Sequence, residues 1–72
     1  MNKNEIDNTI QSILTGEKYH IDDYFGGEMI TIGFDKQVGR FYVQRIDTVV
    51  GSYNDTNYCT QAEVEAILRR TD

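Results

Sequence analysis

Few side chains in this sequence have the type and spacing to do chemistry. His20 is the only histidine, and Asp22 follows two residues on. In a strand that spacing puts both side chains on one face, where a carboxylate can orient an imidazole for base catalysis. No serine or cysteine nucleophile stands in a motif around the pair, so an exposed strand histidine is the plainer reading. Cys59 sits just before a helix start, where a thiolate gains reactivity. The same place suits the apolar N′ residue of a hydrophobic staple closed by Val64, which accounts for it more simply. Gly26, Gly27 and Gly33 form no phosphate loop, since no GxGxxG or Walker spacing is present. No acidic loop has EF-hand spacing. The sequence therefore assigns no catalytic residue, no cofactor and no metal.

The acids and tyrosines are the stronger signal. Asp22, Asp23 and Glu28 lie around the first expected turn with Tyr24 among them, and Asp55 stands between Tyr53 and Tyr58. Tyrosine is enriched at interface hot spots, and carboxylates match arginine-rich grooves. Twelve acids against seven bases give a formal charge of −5. Phosphate binding needs a basic footprint, so nucleic acid is a poor direct partner, and an acidic membrane surface is excluded for the same reason. The natural complement is a basic protein surface. The plainer alternative is that the acids, on a solvated hairpin end and an ordinary loop, only keep a small domain soluble; a net charge of roughly 2–8 is ordinary for one.

These residues must be held by a single small domain, residues 1–72. Its organising stretch is Met29 to Val43, where two β-branched and aromatic runs flank Asp35-Lys36-Gln37-Val38-Gly39, a hairpin pattern. Ile30, Ile32 and Phe34 alternate onto one face, and Phe41 and Val43 can meet them across the turn. Upstream, Ile6, Ile10, Ile13 and Leu14 form one stripe of a helix over residues 2–15. Asn2 or Asn4 can cap it, and Gly16 can end it. Residues 18–25 read as the first strand, with an irregularity or an early end expected near Asp22 because Asp23 falls on the apolar side. The third strand is expected over residues 40–48, bulged or twisted near Arg45 and Ile46. Residues 51–58 read as a loop by composition. Thr60-Gln61-Ala62-Glu63 is a capping box opening the last helix, whose stripe is Val64, Ile67 and Leu68. The expected class is α+β, in the order α-β-β-β-α, with a three-stranded antiparallel sheet packed by two helices.

That order, with its capped final helix, resembles the double-stranded-RNA-binding domain in layout and length. The lysine cluster of that family is replaced here by Thr60-Gln61-Ala62-Glu63 and Glu65, which removes the phosphate-binding part of the resemblance. The layout and acidity also resemble the small acidic inhibitors made by phages, anti-CRISPR proteins among them, some of which imitate DNA with their acids. The resemblance implies a non-enzymatic protein that blocks a basic, nucleic-acid-binding surface of a partner. The alternative is an accessory or structural module that assembles through a sheet edge or with itself. One cysteine permits no intrachain disulfide, and the apolar runs are too short for a membrane span or signal segment. The cytoplasm is the expected location, that of the host cell if the chain is phage-encoded.

Overall fold

The computed structural model describes residues 1–24, 28–47 and 52–70, with side chains described at 1–21, 29–45 and 56–70. The element order is α1 (Lys3–Leu14), β1 (Tyr19–Tyr24), β2 (Glu28–Asp35), β3 (Arg40–Asp47), β4 (Ser52–Cys59) and α2 (Gln61–Arg69). The strands form one antiparallel sheet in the order β1-β2-β3-β4.

Both helices are fixed by local signals. Asn2 Oδ1 accepts the Glu5 amide at 2.9 Å, and the Asn2 amide donates back to Glu5 Oε1 at 3.2 Å. Two amides that α1 itself cannot bond are thereby satisfied. At its other end Gly16 takes φ +112°, a conformation that costs a residue with a Cβ. The Gly16 amide then donates to the Ile13 carbonyl and the Glu17 amide to that of Ser12, each at 3.1 Å, which closes the helix as a Schellman motif. α2 opens on the expected box: the Glu63 amide reaches Thr60 Oγ1 at 3.2 Å, and the Thr60 amide reaches Glu63 Oε1 at 3.0 Å.

The central hairpin pairs β2 with β3 from Glu28↔Asp47 to Asp35↔Arg40 without a slip. Asp35 holds its turn. Oδ1 accepts the amides of Gln37 and Val38 at 3.0 and 3.2 Å, and its carbonyl accepts the Gly39 amide at 2.7 Å. Ile21, Ile30, Ile32 and Phe41 enter one buried cluster with Ile6, Ile10 and Ile13 of α1 and Val64 and Leu68 of α2. Phe34 meets Phe41 edge-to-face, ring centroids 5.0 Å apart. The residues that alternate with these on the strands, among them His20, Thr31, Tyr42, Gln44, Thr56 and Tyr58, belong to the opposite face of the sheet.

The sheet has four strands where three were expected. Residues 51–58 were expected as a loop; Ser52–Cys59 is β4, paired with β3 from Asp47↔Ser52 to Phe41↔Cys59. Its asparagines and aspartate are poor strand formers, but an edge strand is held by its ladder as much as by buried side chains. The irregularity expected near Asp22 is present, as a shift of the β1–β2 ladder between Ile21 and Tyr24. The bulge or twist expected in β3 near Arg45 and Ile46 falls on its neighbour instead: the β3–β4 ladder shifts there, but the extra residue is Asn54 of β4, and β3 pairs with β2 without a slip. Thr48, expected as the last residue of the third strand, lies outside the described residues. Among the described residues, no helix is long and apolar enough to cross a membrane.

Candidate functional site

The register brings six of the seven candidate partner-binding residues to one end of the sheet. Its last row runs across all four strands as Tyr24↔Glu28↔Asp47↔Ser52. The next row contains Ile46↔Tyr53, and the third is Ile21↔Ile30↔Arg45↔Asp55. Asp22 and Asp23 are the two residues of the β1 irregularity between the first and third rows. Asp22, Asp23, Glu28, Asp47 and Asp55 are therefore strand neighbours at this end, with Arg45 the base among them. Of the chain's twelve acids and seven bases, that leaves seven and six for everything else, so most of the net charge is carried by this end of the sheet. The side chains of these five acids lie outside the described set.

Asp47 was not among the sequence-derived candidates. The signal for it was available, because an unbroken hairpin centred on residues 35–40 must return it opposite Glu28.

Tyr58 does not join this group. It pairs with Tyr42, three rows from Asp55 and about 10 Å along the strand at roughly 3.3 Å per residue. Its hydroxyl donates to Asp35 Oδ2 at 3.1 Å. That bond, with local desolvation and the neighbouring Asp35 and Tyr42, raises the phenol above its ordinary range. Around it lies a shallow groove of ≈ 500 Å³ lined by Phe34, Asp35, Lys36, Tyr42, Gln44, Thr56 and Tyr58. Gln44 Nε2 donates to Thr56 Oγ1 across the β3–β4 ladder at 3.1 Å. This polar and aromatic patch was hidden from the sequence because β4 read as a loop.

The two residues with catalytic potential are placed plainly. His20 Nδ1 lies 2.9 Å from Thr31 Oγ1 on the neighbouring strand. The ladder shift after Ile21 interrupts the alternation on which a His20–Asp22 pairing depends. Cys59 is partly buried and packs against the core cluster, of which Val64 is a member. Burial, and then the Glu63 carboxylate, push its thiol pKa up, which is the opposite of what a nucleophilic thiolate needs.

No protein-family model, curated protein or solved structure matches this chain.

Proposed function

We propose that this protein is a non-enzymatic acidic binding protein that occupies a basic, nucleic-acid-binding surface of a partner protein, as an anti-CRISPR or similar anti-defence inhibitor does. Carboxylates at one end of the sheet stand in for phosphates, and Tyr24 and Tyr53 supply apolar contact beside them. The observation that supports this reading is the register, which gathers Asp22, Asp23, Glu28, Asp47 and Asp55 from four strands into three rows. A charge that served solubility alone would have no reason to collect there; one that meets a basic groove would.

The test is affinity capture from a host lysate, followed by surface plasmon resonance on the captured partner across a salt series. Affinity should fall as salt rises, since exposed charges are screened beyond about 8–10 Å near physiological ionic strength. Changing Asp22→Asn, Asp23→Asn and Glu28→Gln together should slow association more than it speeds dissociation, with the fold intact. Tyr53→Ala should act on the dissociation rate instead. A partner whose binding ignores salt and survives the triple neutralisation overturns the proposal.

A further inference from the structure

The two edges of the sheet are built differently. β1 is six residues long, and its ladder is broken at Asp22 and Asp23. A bulge carrying charges is one of the devices that close an edge to further strands. β4 is eight residues long, and from Asp55 to Cys59 it keeps an unbroken register with β3. That run contains no proline, lysine or arginine, the residues that commonly blunt an open edge. Thr56, Asn57 and Tyr58 are exposed. Among the described residues, no strand lies on the outer side of β4.

We propose that β4 pairs antiparallel with β4 of a second copy of this chain, about a two-fold axis at Asn57, joining two four-stranded sheets into one of eight strands. The charge pattern selects this occupant. Thr56, Asn57, Tyr58 and Cys59 are uncharged at neutral pH, so the run offers a foreign charged strand little to recognise. An axis at Asn57 sets Asp55 opposite the neutral Cys59 of the mate, and Thr56 opposite Tyr58. Antiparallel pairing also points the acidic ends of the two sheets away from each other. The contact is isologous, and with the β1 edge interrupted it closes at two copies instead of growing into a fibre.

This inference does not rest on the partner reading above, and the two have opposite salt dependence. Each copy carries −5, so screening strengthens self-pairing, whereas it weakens docking on a basic groove. Sedimentation of the purified full chain, from micromolar to millimolar and at low and high salt, should show the mass rising from 8.3 kDa toward twice that value, sooner at high salt. Amide exchange at Asp55–Cys59 should slow over the same concentrations. Asn57→Lys sets like charges directly across the axis and should abolish the dimer with the circular dichroism unchanged. In a Cys59→Ser background, Asn57→Cys should form a covalent dimer on mild oxidation, since paired Cα atoms in antiparallel strands stand about 4.5–5.5 Å apart. A monomer at every concentration and salt, with no cross-link, overturns the proposal. So does a dimer that persists in Asn57→Lys, because it would use another surface.

Discussion

The ring of Tyr42 occupies the space that a side chain at Gly33 would fill. The two residues are direct partners across the central hairpin, and a Cβ built on Gly33 would meet the end of the Tyr42 ring, its Oη and Cζ first. The aromatic covers backbone that glycine leaves bare. Gly33→Ala should therefore drive the ring out of place, visible as a change in its NMR shifts. In a Tyr42→Ala background the obstruction is gone. There the same substitution should stabilise, by about 0.4–1 kcal/mol, through the lower entropy of the unfolded chain. A double-mutant cycle in chemical denaturation checks the coupling.

Ile32 is fully buried at the middle of β2, 0% exposed. Ile32→Ala should cost about 2–5 kcal/mol through lost transfer energy and the cavity left behind. In a domain this small that is enough to threaten folding. Val38, at the hairpin tip, is 49% exposed, and Val38→Ala should change stability by no more than about 0.5 kcal/mol. Thermal or urea unfolding of the two variants side by side checks the contrast.

Thr60→Ala should lower stability by about 1 kcal/mol, because the Glu63 amide loses its acceptor at the first turn of α2. Asn2→Ala should behave alike at α1, where the box has the same two arms. The urea midpoint of each variant is the measurement.

Tyr58 should ionise above the ordinary tyrosine range. Its hydrogen bond to the Asp35 carboxylate favours the protonated phenol in the folded chain, so the folded pKa lies above the unfolded one. The stabilisation linked to that shift is present below the ordinary tyrosine range, near 10, and is lost as pH rises through the raised folded value. Tyrosinate absorbance during an alkaline titration should show the delayed step. Asp35→Asn should bring it back toward the ordinary range while keeping an oxygen for the turn amides of Gln37 and Val38.

The helices and the central hairpin were legible because their determinants are local. The Ile6-Ile10-Ile13 stripe, the two capping boxes, Gly16 and the run from Ile30 to Phe34 each carry their signal within a few residues. β4 was not legible, because Asn54, Asp55 and Asn57 argue against a strand and only the neighbouring ladder makes one. In the structure β3 ends at Asp47 beside the acidic end, while α2 starts beside Phe41, at the far end of the sheet. Eight residues of extended chain, about 26 Å at roughly 3.3 Å per residue, cover that return. The grouping of Asp55 with both Tyr53 and Tyr58 failed for the same reason: a loop can gather residues that an extended strand spreads apart.

The strand order has a kinetic consequence. Every strand pairs with the strand next to it in sequence, so each ladder closes only a short loop, and little chain entropy is lost before its contacts form. Low contact order of this kind favours fast folding. The chain has no proline, so no prolyl isomerisation can hold back a fraction of the molecules. Among the contacts that join distant parts of the chain is that of α1 with α2. Zipping of the meander can run ahead of it, leaving the meeting of the two helices as the step that commits the chain to its native core.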